Sequence, residues 1–200
     1  SWSEFNENPD MLINTLLAKI MLSKIPGDVL RGLQAEQIAV LSIENSAGYL
    51  ATALSLELER QNKLPRPPRI IRARKSASNT LVPSPAMGEH TAYATVYPIT
   101  SEEPRFLVAS TSDSTDLHDI RILFVVDDFR ATGNTLRGGI EIALDLLGQA
   151  GVPFSETTII PMSGLGKPEQ ETDASFAQSD ARILGVVTGI DVRFWPDKTT

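Results

Sequence analysis

Two adjacent acids, Asp127 and Asp128, are the residues of this chain best placed to do chemistry, because of the loop they lead into: Phe129, Arg130, then Ala131-Thr132-Gly133-Asn134-Thr135. An apolar run, Ile122–Val126, leads straight into the acids, and a helix-like pattern opens after the threonines. A buried strand ending at the acids, joined by a small-residue loop to a helix N-terminus, presents free backbone N–H groups and the positive end of a helix dipole. Such a terminus stabilises an anion, phosphate above all. The hydroxyls of Thr132 and Thr135 add donors, and Gly133 lets the backbone approach an anion closely. The carboxylates beside it suit ribose hydroxyls or the water shell of Mg2+. Phosphate, sugar diol and metal in one loop describe a phosphorylated ribose. An acid pair alone would read as a strand ending in solvated carboxylates; the small-residue loop at this offset favours ligand binding.

The elements that must hold such a loop are legible on either side of it. Leu12, Ile13, Leu16, Leu17, Ile20 and Met21 recur at helical spacing behind Pro9 and Asp10, which predicts a helix laid on the core by that face and ended at Pro26-Gly27. Ile38–Ile43 is a continuous apolar run of strand length, the pattern of a strand covered on both faces. The loop Glu44–Gly48 leads into a helix from Tyr49 to about Arg60. Residues Arg60–Lys75 contain seven basic residues and no acid; Pro65, Pro67 and Pro68 interrupt this run before a strand at about Arg69–Ala73. The polar stretch of about 76–90 predicts a flexible loop, and Thr91–Tyr97 with Arg105–Ala109 predicts a hairpin. Beyond the acids the pattern gives a helix over about Asn134–Ala150, strands at Glu156–Pro161 and Ile183–Val187, and a polar surface excursion between them over Gly164–Asp180. Strands alternating with helices imply an α/β fold with a mostly parallel sheet and right-handed crossovers, whose ligands sit at the carboxyl ends of the strands.

Composition narrows the classes. Two hundred residues with 42% hydrophobic and 22% charged side chains suit one globular domain spanning 1–200. A net charge of −7 argues against non-specific nucleic-acid binding, which needs basic surface. Without cysteine there is no disulfide framework, thiolate metal site or cysteine nucleophile, and His90 and His118 are too isolated for a metal centre. No apolar run is long enough to span a membrane and no signal-peptide pattern is present, so a cytoplasmic location is expected. The sequence opens on Ser1 rather than methionine, as a trimmed chain or a fragment does.

The segment Asp127–Thr135 resembles the phosphoribosyl pyrophosphate (PRPP) motif of type I phosphoribosyltransferases. Ser42–Gly48 resembles the pyrophosphate loop of the same family, and Arg72–Lys75, Thr80-Leu81 and Ala94–Thr100 follow in the order found in bacterial xanthine phosphoribosyltransferases. Adenine phosphoribosyltransferases and the PRPP-responsive purine repressor are similar in layout. The resemblance implies a type I phosphoribosyltransferase fold: a twisted, mostly parallel sheet flanked by helices, a small hood from about 1–10 and 161–182, and a flexible loop and hairpin. It implies transfer of 5-phosphoribosyl from PRPP to a purine-type base, with release of pyrophosphate. The 5′-phosphate would lie in Ala131, Thr132, Gly133, Asn134 and Thr135 beside Arg130, and the ribose against Asp127 and Asp128. The pyrophosphate would lie between Glu44, Asn45, Ser46, Ala47 and Gly48 on one side and Arg74 and Lys75 on the other. Mg2+ would be held mainly by PRPP, with Asp127 and Asp128 acting through its water shell. Glu102 or Glu103 resembles an acid that adenine-type members bring over the ribose; Glu103 is taken as the candidate. The partners implied are PRPP, a nucleobase and a second copy of the chain in a homodimer, with neither nucleic acid nor membrane.

The chain also departs from the pattern. Ser76 and Ala77 stand where xanthine-type proteins carry a further lysine, and Ala131 stands where hypoxanthine–guanine enzymes place an aspartate. Pro161–Lys167 lacks the aromatic that would stack on a purine, and Asn6 or Asn8 is an ambiguous match to an amide that reads the base. These departures keep a second reading open, a PRPP-binding regulatory module without turnover. A receiver-like signalling domain is weaker, because Ile38–Ile43 runs into Glu44 rather than an acceptor aspartate.

Overall fold

Uninterrupted apolar runs become the centre of the sheet, since a strand covered by helices on both sides has no polar face. A computed structural model describes residues 9–44, 47–76, 92–97, 105–110, 117–130, 134–166 and 183–191. In it β1 (Ile38–Glu44) and β5 (Ile122–Arg130) lie side by side. The other elements are α1 (Pro9–Ser23), α2 (Ala47–Asn62), β2 (Arg69–Ser76), β3 (Ala92–Tyr97), β4 (Arg105–Ser110), α3 (Asn134–Gln149), β6 (Thr158–Gly166) and β7 (Val187–Asp191). The strands form one sheet in the order β3-β4-β2-β1-β5-β6-β7. From β2 to β7 neighbouring strands are parallel, and the β3–β4 hairpin continues the sheet antiparallel from the edge of β2. The architecture matches the α/β expectation, hairpin included.

Alternation along the strands divides the core into two layers. Ala39, Leu41, Ile43, Leu123 and Val125 face α3, where Leu136, Ile140, Ala143 and Leu147 close the layer. Ile38, Val40, Ile122, Phe124 and Val126 face α1 and α2, against Leu17, Ala18, Met21, Leu50, Leu54 and Leu58. Helix α3 comes close because Gly139 has no side chain: a Cβ there would stand 2.5 Å from Ile43 Cδ1 and 2.7 Å from Val125 Cγ1. On the other face α2 buries Glu57, whose carboxylate accepts hydrogen bonds from Arg60 and from Gln61 Nε2. Burial works to raise this carboxyl, but the bonds from Arg60 and Gln61 and the Arg60 charge outweigh it and hold it below the usual glutamate value.

Three expectations need correction. Helix α1 forms, yet it is turned about its axis: Met11, Leu17, Ala18, Met21 and Leu22 are buried, while Leu12, Ile13 and Leu16 are 66%, 59% and 57% exposed. The sheet selects this face. Gly164 and Gly189 leave a hollow that Leu17 enters, its methyls 3.4 and 3.3 Å from where their Cβ atoms would be. Lys24, beyond the helix end, donates to the carbonyls of Thr188 and Gly189 and fixes the rotation.

The second correction concerns 161–166, expected to lie with the hood and the surface excursion. Pro161–Gly166 instead continue β6 inside the sheet, paired with β5 from Val125 to Arg130. The glycine at 164 marks a close approach rather than a turn. Residues 167–182 and 1–8 lie outside the described residues, as do 77–91, where a flexible loop was expected. Thirdly, the last strand sits later than expected: Ile183 only bridges Ile159, and β7 begins at Val187.

Candidate functional site

The register of the parallel strands brings the separate sequence candidates to one edge. Ser42 of β1 pairs with Val126 of β5, so Glu44 and Asp128 are each two residues further along neighbouring strands. Glu44 pairs in turn with Arg74 of β2, and Asp127 with Ser163 of β6. Arg74 and the acid pair are thus separated by two strand spacings, roughly 10 Å. All of them lie at the carboxyl ends of parallel strands, where an α/β sheet binds its ligands.

Two helices start at this edge. Helix α2 begins at Ala47, three residues after Glu44, and α3 begins at Asn134, four residues after Arg130. They pack on opposite faces of the sheet, so two sets of N-terminal N–H groups flank the acids from above and below. Ala47 is fully buried, and a Cβ on Gly48 would meet nothing within 4 Å. Thr52 Oγ1 donates to the Gly48 carbonyl at 2.8 Å and steadies that first turn. Thr135, in the first turn of α3, is half-buried. Close contact of Gly139 with β1 and β5 fixes the height of the α3 terminus above both strands.

The acids themselves are less alike than the sequence suggests. Strand β5 does not end at them but runs on to Arg130. Alternation places Asp127 on the α3 side, where it is 5% exposed, and Asp128 on the α1–α2 side, half-buried. Asp127 is therefore built into the protein, contrary to the picture of two solvated strand-end acids. Gly164 matters here as well, because a Cβ on it would stand 3.0 Å from the Asp128 carbonyl oxygen. On β1, Ser42 Oγ is fully buried with no hydrogen-bond partner among the described residues.

Glu44, Arg74, Lys75, Arg130 and Asn134 are placed by their backbones in β1, β2, β5 and α3. Asn45, Ser46, Ala131, Thr132, Gly133 and Glu103, with Glu102, lie outside the described residues, as do Asn6 and Asn8. Among the described residues no cluster of three or more acids or histidines is able to hold a metal ion. Two carboxylates are too few to form a protein cage for Mg2+, but suit a cation whose remaining ligands come from phosphates and water. Gly139 and Gly164 are the structurally important residues that motif reading passed over. A glycine inside an otherwise amphipathic helix was the available signal for Gly139; nothing local distinguishes Gly164 from a turn residue.

No family model matches this sequence, and no curated protein matches it. Solved structures do. The chain is similar to a hypoxanthine-guanine phosphoribosyl transferase of L. donovani, at 15% identity over 91% of this chain and 79% of that one, with a TM-score of 0.51. It is also similar to hypoxanthine phosphoribosyltransferases of Staphylococcus aureus (13% identity, 90% and 76% covered, TM-score 0.43) and Trypanosoma cruzi (16%, 94% and 86%, 0.43). The fold is that of the type I phosphoribosyltransferases.

Proposed function

We propose that the chain is a phosphoribosyltransferase that moves 5-phosphoribosyl from PRPP to a purine-type base and releases pyrophosphate. The observation that carries this reading is the pair of helix N-termini, α2 after β1 and α3 after β5, facing each other across Asp127 and Asp128 at adjacent strand ends. One anion site with a diol-binding acid would suit many phosphorylated sugars. Two anion sites on either side of the acids suit a ribose phosphorylated at both ends. The 5′-phosphate belongs at α3 with Thr135. The pyrophosphate belongs at Ala47–Gly48, in the open space over Gly48, with Arg74 and Lys75 from the next strand meeting its charge.

In the reaction, the anomeric carbon–oxygen bond breaks with its electron pair leaving on pyrophosphate. A lone pair of a base nitrogen forms the new carbon–nitrogen bond, and the base loses a proton. The protein's part is geometric and electrostatic: the two helix termini fix both ends of PRPP, and the acids orient the ribose hydroxyls. Mg2+ carried in by PRPP would supply charge neutralisation at the pyrophosphate, and Asp127 and Asp128 would order its water shell. The reading includes a cytoplasmic homodimer and a role for Glu103 near the ribose.

The base is the open term. The structural neighbours are named for hypoxanthine and guanine, whereas Ala131 departs from the aspartate of that branch and the order of segments resembles xanthine and adenine enzymes. A second reading, a PRPP-binding regulatory module, is favoured by β6: Pro161–Gly166 is buried strand without an aromatic to stack on a base. The deciding experiment incubates the chain with PRPP, Mg2+ and, in turn, adenine, guanine, hypoxanthine, xanthine and orotate, measuring pyrophosphate. Release with a purine base establishes the transferase. Calorimetric PRPP binding, weakened ~10-fold by Thr135→Val, with no release for any base, establishes the regulatory module. Absence of PRPP binding removes both.

A further inference from the structure

A cleft lies at the opposite end of the sheet from the candidate site. The connection from α1 to β1 and the connection from α2 to β2 run beside each other at the amino ends of those strands, and they enclose a cleft of about 370 Å3. That volume is in the range of small-molecule sites. Its charged lining residues are Arg31 and Lys63, and no acid lines it. Neither cation has a hydrogen-bond or ion-pair partner for its side chain among the described residues, whereas the nearby Arg66 is paired with Glu36 at 2.6 Å. Both side chains are exposed, so an anion entering the cleft from solvent can reach them. Half-buried Leu30, Leu33 and Leu64 supply an apolar part of the wall beside the charges, and Gln34 and Asn62 supply polar side chains.

The backbone supports the choice of Lys63. Helices α2 and α3 end with the same turn, in which an N–H bonds to the carbonyl five residues back: Leu64 to Glu59, and Val152 to Leu147, both at 3.0 Å. This turn needs a left-handed residue just before the donor, a position that glycine fills without strain. Helix α3 uses Gly151, with φ of 68°. Helix α2 uses Lys63, with φ of 52°, which among the described residues is the one non-glycine at positive φ. A lysine is held in a conformation that costs a side-chain-bearing residue stability, at the one end of α2 that borders the cleft.

We propose that this cleft binds a small organic phosphate, its phosphate on Arg31 and Lys63 and its apolar body against Leu30, Leu33 and Leu64. The site is distinct from the candidate PRPP site. Helix α2 separates the two by its own length, its first turn at Gly48 and its last at Asn62, roughly 24 Å for sixteen residues. The test is an amide NMR titration of the full chain with phenyl phosphate, inorganic phosphate and phenol. Phenyl phosphate should shift the amides of Gly32, Lys63 and Leu64 saturably at roughly millimolar concentration, more tightly than either inorganic phosphate or phenol. Arg31→Gln and Lys63→Gly should each weaken that binding ~10-fold. Lys63→Gly also relieves the left-handed strain, so its melting temperature should hold or rise, which separates lost binding from lost folding. Shifts at Gly48 or Thr135 report the other site and are counted apart. No saturable shift around Lys63, or equal affinity in both variants, overturns the site; equal affinity for phosphate and phenyl phosphate overturns the ligand class.

Discussion

Replacing Gly139 by alanine tests whether close packing of α3 is what sets the site. In a helix interior, alanine is favoured over glycine by about 0.8–1.0 kcal/mol. Here the added methyl would stand 2.5 Å from Ile43 Cδ1, 2.7 Å from Val125 Cγ1 and 3.2 Å from Ile43 Cγ1. Carbon pairs prefer about 3.5–4.0 Å, so α3 or its neighbours must yield by roughly 1 Å. Ile43 and Val125 are 2% and 0% exposed, so neither can swing into solvent. Overpacking of this kind costs about 1–3 kcal/mol. Subtracting the helix gain leaves a net loss of about 0–2 kcal/mol, with about 1 as the central expectation. Urea unfolding should show a lower midpoint at an unchanged slope. The decisive arm is the double variant with Ile43→Val, which deletes the nearest carbon. Alone, Ile43→Val should cost about 0.5–1.5 kcal/mol. Combined with Gly139→Ala it should cost at least ~0.5 kcal/mol less than the sum, because each change relieves the other. Val125 remains, so the relief is partial. Strict additivity, or a stabilised Gly139→Ala protein, would refute the packing argument. A raised α3 terminus should also lower PRPP affinity in Gly139→Ala.

Gly48→Ala places a methyl in open space on the first turn of α2, so stability should change by less than about 0.5 kcal/mol while PRPP affinity falls at least severalfold by calorimetry; unchanged affinity would put the pyrophosphate elsewhere. Asp127→Asn should cost about 1–3 kcal/mol, because Asp127 is buried, and Asp128→Asn within about 0.5; equal melting temperatures would deny the two acids their different surroundings. The carboxyl of Glu57 is held low, so its stabilising contribution is complete above the unfolded glutamate value of about 4.3 and fades as pH falls through the lower folded value. Arg60→Ala removes the main donor opposing burial, so acid unfolding monitored by circular dichroism should move to higher pH; an unmoved acid limb would mean that Glu57 does not govern it.

The central strands were legible because burial on both faces leaves almost nothing polar to blur the run: Ile122–Val126 is wholly apolar, and in Ile38–Ile43 only the small Ser42 interrupts it. The hairpin was legible for the opposite reason, an alternating pattern. What the sequence could not supply was the choice among equivalent faces. Helix α1 is apolar at most positions around its circumference, so spacing alone allowed Leu12, Ile13 and Leu16 to point inward; the glycines of β6 and β7, far away in sequence, decided for Leu17. Pro161 and Gly164 read as breakers because their roles inside a sheet depend on the neighbouring strand and helices. The site obeyed the same division. Asp127-Asp128 were recognisable at the end of an apolar run, and register alone brought them to the same sheet edge as Glu44 and Arg74. That Asp127 is buried and Asp128 half-buried is a property of the layers on either side of β5, which no local pattern records.

The contact between Lys24 and the carbonyl of Thr188 joins residues 164 positions apart. Ribosomes add about 5–20 residues per second, so α1 emerges roughly 8–33 s before the strand that completes its seat. Through that interval the helix has α2 to lean on, but the hollow at Gly189 does not yet exist, and Leu17 joins Leu12, Ile13 and Leu16 as uncovered apolar surface on the nascent chain. Helix α1 is thus a segment on which a ribosome-associated chaperone would act for long. Nascent chains halted before Gly164 should crosslink such a chaperone through α1, and chains extended beyond Asp191 and clear of the exit tunnel should release it. Strand β7 therefore covers, late in synthesis, a helix made some 164 residues before it.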